Sequence, residues 1–152
     1  MSAEPGTRIL SFAAGGFPLF TPITAVERVV EELEVIRLPF AAHGLVGLLP
    51  HEDQTTPLYD LEAFAAGHRA ALRDQDFALA AVMPTPVGRV AIRLDRLAGL
   101  FPAGDPLPGG EGAAAALPER LRPCIGGATH LEGLVAFYFA SDLFAELVSV
   151  EG

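Results

Sequence analysis

Residues 8–30 read RILSFAAGGFPLFTPITAVERVV. The apolar run 8–13 stops at Gly15-Gly16 and resumes with Phe17-Pro18-Leu19-Phe20 and Ile23, so two strands with a glycine turn between them are expected. Residues 24–33 then alternate apolar and charged side chains at roughly helical spacing, over a stretch suited to one turn of helix or a bent strand. The same rhythm recurs along the chain. Residues 43–49 and 55–60 form a strand-like pair around the polar tip His51-Glu52-Asp53-Gln54, and residues 77–83 and 87–94 flank Pro84-Thr85-Pro86. Residues 125–128 and 134–139 make a third hairpin around His130-Leu131-Glu132-Gly133, and Ser141 is placed to cap a helix running to Val148. Residues 60–73 are the best helical stretch of the first half, with Gly67 weakening its middle. Residues 102–112 are almost all Pro, Gly and small residues and mark a loop, and residues 113–121 hold one helical turn.

The bulk properties bound the answer. At 152 residues the chain is long enough for a real core and short enough that a single domain over 1–152 is the expectation. Hydrophobic residues make up 51% of it, yet they come in short runs broken by Pro, Gly or Arg, none of a length that spans a bilayer. No basic start followed by an apolar run opens the sequence, so no membrane insertion and a cytoplasmic location are expected. Ten basic and 19 acidic residues give a formal net charge of −9, the wrong sign for neutralising phosphates, and nucleic acid is not an expected partner. One cysteine, Cys124, excludes a disulfide framework, a CxxC pair and a cysteine-rich zinc site.

A search for catalytic chemistry returns nothing above background. The densest cluster, His51-Glu52-Asp53, sits on a hairpin tip where sequence neighbours diverge into solvent. The four histidines make no HExxH, His43 and His51 lack the i, i+4 spacing of a helical zinc pair, and His68 and His130 fall on a helix surface and in a turn. Ser11, Ser141 and Ser149 lack a GxSxG context, the glycines form no phosphate-cradling motif, and Cys124, at the mouth of an expected strand, reads as a small buried hydrophobe. No catalytic residue, metal or cofactor is expected. What remains is binding through grooves between sheets.

Three blocks taken in order carry a more specific signal: residues 8–30 above, LPFAAHGLVGLLPHEDQTTPLYDL at 38–61, and PCIGGATHLEGLVAFYFASDLF at 123–144. Together they resemble the CheW family of bacterial chemotaxis coupling proteins. Val26-Glu27-Arg28-Val29 occupies the family's apolar-x-Glu-apolar element; Leu38-Pro39, Gly47 and Pro57-Leu58-Tyr59-Asp60-Leu61 follow its second block; Ile125-Gly126 through Leu143 follow its third. Residues 90–97, VAIRLDRL, are similar to its strand ending in Val-Asp. The likeness spans residues 7–147. It implies a mostly β fold of two intertwined, small five-stranded SH3-like barrels with short helices and a C-terminal helix.

The resemblance also implies a role: a non-catalytic adaptor that binds the cytoplasmic tip of a methyl-accepting chemoreceptor-type protein, and the regulatory domain of a CheA-type histidine kinase or another CheW-like protein. Val26, Arg28, Gly47 and Glu52 lie where the receptor-facing surface is expected. Two of these depart from the pattern, because the family's Asn-Leu-Arg-Gly reads Pro50-His51-Glu52-Asp53 here and a family Glu has become Arg28. Either the two inverted charges face each other as a reversed ion pair, or both are unrelated changes on a solvated surface. Loss of the Arg-Gly pair points to a divergent member with weakened kinase coupling. Two other classes stay open: a regulatory barrel binding a small ligand, which an apolar pocket inside one barrel would favour, and a hydrolase using His51 and neighbouring acids.

Overall fold

The computed structural model describes residues 8–38, 43–51, 54–68, 78–103, 114–131 and 133–151. The chain begins with β1 (Arg8–Ala14) and β2 (Phe17–Pro22), passes through a 3-10 turn (Ile23–Ala25), and continues as β3 (Arg28–Glu31), β4 (Ile36–Arg37), β5 (Leu45–His51) and β6 (Gln54–Tyr59). Helix α1 (Leu61–Ala66) follows, then β7 (Leu79–Met83), β8 (Val90–Arg93) and β9 (Arg96–Pro102). A second 3-10 turn (Arg122–Cys124) leads into β10 (Ile125–Leu131), β11 (Leu134–Phe139) and helix α2 (Ser141–Glu151).

The strands form two sheets, one ordered β10-β11-β2-β1-β9 and the other β3-β7-β8-β6-β5-β4. The first is built from both ends of the chain and the second from its middle, so the second is inserted into the first. Each holds two antiparallel hairpins joined by a short parallel pairing, Leu19 opposite Phe137 in one and Leu58 opposite Ala91 in the other, and antiparallel edge strands extend them: β9 in the first, β3 and β4 in the second. One strand of each parallel pair is followed by a helix, α1 behind β6 and α2 behind β11. This is the mostly β, two-barrel class expected, with a sixth, two-residue strand added to the second sheet.

Side-chain alternation sorts the apolar residues into an interior for each sheet and a shared layer between them. Val46, Leu49, Leu58, Ala80, Val82 and Ala91 fill the second barrel. Ile9, Phe20 and Ala136 form a smaller cluster in the first. Residues of the opposite parity, among them Leu10, Phe12, Leu19, Tyr59, Ala81, Met83 and Ile92, join Phe64 of α1 and Phe144 of α2 in the largest cluster. Phe144 holds that layer together: its ring lies edge-on to Tyr59 and Phe64, with centroids 5.1 Å away in both cases, and 5.4 Å from Phe139. Burying one such ring contributes about 2–3 kcal/mol.

Several boundaries differ from the expectations, each for a local reason. The 24–33 stretch divides: Ile23–Ala25 makes the 3-10 turn and Arg28–Glu31 an extended strand on β7. Gly67 ends α1 instead of weakening its middle, because at φ 73° it takes the left-handed cap that other residues adopt at a cost; residues 69–73 lie outside those described. At the other end Asp60 accepts a hydrogen bond from Ala63 N at 3.3 Å and caps the helix. The 90–97 stretch is not one strand, since the chain crosses at Leu94-Asp95 from β8 in one sheet to β9 in the other. His130 is on β10 opposite Val135, not in the turn. Ala140 takes the cap position of α2, its carbonyl accepting from Phe144 N at 3.0 Å, and Ser141 is the first helical residue. Most of the loop expected at 102–112 lies outside the described residues.

Candidate functional site

The four residues expected on the partner-facing surface stand in different settings. Val26 is half-buried and packs against the shared layer, its N–H donating to Ile23 O at 3.2 Å. Arg28 opens β3, an edge strand, opposite Val82. Its Nε is buried and has no hydrogen-bond partner among the described residues. Gly47 is buried on β5 between Arg37 of β4 and Leu58 of β6. A side chain there would collide with the Ile36 carbonyl oxygen and stand 3.0 Å from Val35 Cγ1. The missing Cβ therefore lets β4 dock on β5. Glu52 lies outside the described residues, and so does the reversed ion pair it would make with Arg28; the sheet order separates β3 from β5 by β7, β8 and β6.

Arg89, which no sequence pattern distinguishes, ties these segments together. It stands where the β7–β8 turn enters β8, and the turn is closed by reciprocal bonds between Thr85 and Gly88, each N–H 3.1 Å from the other's carbonyl oxygen. Arg89 Nε donates to both Glu27 oxygens at 3.0 and 3.1 Å, and Nη2 to Glu27 Oε1 at 2.8 Å. Nη1 donates to Gln54 Oε1 at 2.7 Å. Glu27 N in turn donates to Val82 O at 2.8 Å, which holds the entry to β3 against β7. One guanidinium thus joins Glu27, the β7–β8 turn and Gln54, the first residue of β6. Bidentate contact to Glu27 and its charge raise the Arg89 pKa above its ordinary value, so the group is cationic at every working pH.

Beside this polar lattice runs a groove of about 150 Å³ between β6, the β7–β8 turn and α2, with Pro57, Tyr59, Val87, Arg89 and Val148 among its walls. Val87 is 55% exposed at its edge. The arrangement is an apolar strip with a fixed charge pair at one end, which suits recognition of a protein surface. Among the described residues no group of three or more His, Cys, Asp or Glu is placed to hold a metal ion. Cys124 is fully buried in the shared layer, and the His51 side chain lies outside the description. Sequence reasoning singled out Val26, Arg28 and Glu52, passed over Arg89, and took Gln54 only as part of a polar tip. Their signal is purely spatial, one arginine among ten.

A second polar chain links the two barrels. Asp60 is 4% exposed, and its Oδ1 lies 3.6 Å from Arg93 Nη1, beyond hydrogen-bond length. Arg93 Nη1 donates to Asp95 Oδ1 at 2.8 Å, and Asp95 Oδ2 accepts from Gly16 N, also at 2.8 Å. Burial raises the Asp60 pKa above its ordinary value of 3.8, and the Ala63 N–H and the Arg93 charge offset that only in part.

The folded class is a mostly β protein of two small mixed-sheet barrels, nested in sequence and sharing one apolar layer. Among solved structures it is similar to the scaffolding protein TtCheW from Thermoanaerobacter tengcongensis, with 13% sequence identity and a TM-score of 0.72 over 93% of this chain and 90% of that one. The fold is CheW-like. No family model matches the sequence, and no curated protein does. Among the described residues no helix is long and apolar enough to cross a membrane.

Proposed function

We propose that this chain is a non-catalytic, cytoplasmic adaptor of a bacterial chemosensory array, its two interleaved barrels acting as one unit. The observation that carries this reading is the likeness to a scaffolding protein over nearly the full length of both chains. The partner is the cytoplasmic tip of a methyl-accepting chemoreceptor-type protein. The surface offered to it is the end of the second barrel that carries Val26, Arg28 and the Glu27–Arg89–Gln54 lattice, and Glu52 is assigned to it from the sequence resemblance alone. Apolar contacts along the Val87 groove supply affinity and the fixed charges supply selectivity.

Coupling to a CheA-type kinase, or to another CheW-like protein, is weaker in this reading, because residues 50–53 read Pro-His-Glu-Asp in place of Asn-Leu-Arg-Gly. An inverted charge on a docking surface changes the potential that a partner meets more than it changes the stability of the fold. Two pull-downs with the purified chain test both parts, one on a receptor tip and one on the regulatory domain of the kinase. Receptor binding with weak or absent kinase binding is the expected result. Binding to neither would overturn the adaptor reading, and equal binding to both would overturn the divergence.

A further inference from the structure

We propose that the open end of the first barrel is a binding site for a small apolar carboxylate, an aromatic or branched aliphatic acid. The site is separate from the surface assigned to protein partners and does not depend on it. The first sheet does not close: its edge strands β9 and β10 are not paired with each other. Between them opens a cavity of about 240 Å³, with Pro18, Ala98, Phe101, Leu131, Leu134 and Ala136 among its walls.

The interior beneath it is thinly filled. Its fully buried members are Ile9, Phe20 and Ala136, with Phe101, Leu131 and Tyr138 only partly covered. A dry apolar cavity of ~150 Å³ accommodates a benzene ring, so the space here takes one ring or a branched chain with a short tail. Leu134, 68% exposed at the mouth, gains burial only when something occupies the opening.

The polar groups of the mouth set the chemistry of the tail. Ser11, on β1, lines the cavity and offers a hydroxyl. Arg96, at the start of β9, also lines it, and its guanidinium makes no ion pair or hydrogen bond among the described residues. In a chain of formal net charge −9, where Arg89 and Arg93 are both engaged by carboxylates, an arginine at an apolar mouth with no carboxylate partner among the described residues calls for an external anion. A carboxylate matches the guanidinium fork. An apolar body with one carboxylate satisfies cavity and rim together.

The probe is 3-phenylpropionate, titrated into the full chain and followed by backbone amide NMR, with 3-phenylpropionamide as the uncharged counterpart. The proposal expects saturable shifts confined to residues around Ala98, Phe101, Leu131 and Leu134, with the acid binding about threefold to fivefold tighter than the amide. Arg96→Gln should bring acid and amide to equal affinity. Ala98→Leu, at an exposed rim position where the fold is not at risk, should abolish both. No saturation up to about 10 mM, the weakest binding a ligand of this size would give, overturns the proposal. So does an acid preference that survives Arg96→Gln, or shifts centred elsewhere.

Discussion

Glu27 takes the guanidinium of Arg89 as a fork, its Oε1 3.0 Å from Nε and 2.8 Å from Nη2. The acidic residue that matters at the entry to β3 is therefore Glu27, one position before the Arg28 on which the family comparison turns. Its partner is supplied by the β7–β8 turn. Both side chains are exposed, 33% for Glu27 and 42% for Arg89, so the pair orients a surface more than it holds the fold.

Reversal of either charge should accordingly show in binding and not in stability. Arg89→Glu frees Gln54 and sets two carboxylates against each other at the end proposed to face the partner. Receptor-tip affinity should fall about tenfold, the loss of one well-placed charged contact, with the melting temperature unchanged. The combination Glu27→Arg with Arg89→Glu should recover part of the loss. Two single reversals whose effects simply add in the double variant would show that the fork does not shape the binding surface.

Gly47→Ala separates architecture from recognition. The added methyl meets the Ile36 carbonyl oxygen and Val35, so β4 must leave β5 or the backbone must shift, at a cost of about 1–3 kcal/mol. Denaturant unfolding should show that loss, and hydrogen exchange should rise at Ile36 and Arg37. Once corrected for the unfolded fraction, receptor-tip affinity should not change. A protein of undiminished stability that no longer binds would make Gly47 a contact residue instead.

Phe144 is fully buried against Tyr59, Phe64 and Phe139, and Phe144→Ala should cost about 3–5 kcal/mol. Because these partners belong to α1 and to strands of both sheets, near-UV circular dichroism and far-UV signals should be lost in one transition. Separate transitions would mean that the barrels unfold independently.

The elements that could be read in advance are those with local punctuation. Gly15-Gly16, the Pro84-Thr85-Pro86 turn and the 51–54 tip each close a hairpin between strands adjacent in sequence, and the apolar period after Ala140 gives α2. The parallel contacts Leu19–Phe137 and Leu58–Ala91 leave no local trace, since their partners lie far apart along the chain. β9 escaped notice because RLAGLFP contains Gly and Pro and is largely exposed, without the alternation of a half-buried strand. Arg89 was invisible for a related reason: its meaning comes from Glu27 and Gln54, which only the fold brings to it.

Asp60 makes the stability of the fold depend on pH in a definite direction. Burial raises its pKa in the folded state, so folding favours the protonated form. The native state is then best served by this group below the unfolded value, and that advantage is lost as pH rises through the folded pKa. Above it the ionised carboxylate sits at 4% exposure, with Oδ1 lacking a hydrogen-bond partner among the described residues and Arg93 at 3.6 Å shared with Asp95. Asp60→Asn keeps an oxygen able to cap Ala63 N and removes the titration. Measured by denaturant unfolding across a pH series, the stability of Asp60→Asn relative to the parent chain should increase from acid to neutral pH. A difference that stays constant across that range would show that Arg93 compensates the buried charge in full, and a difference that shrinks would mean that the Asp60 pKa is lowered by folding.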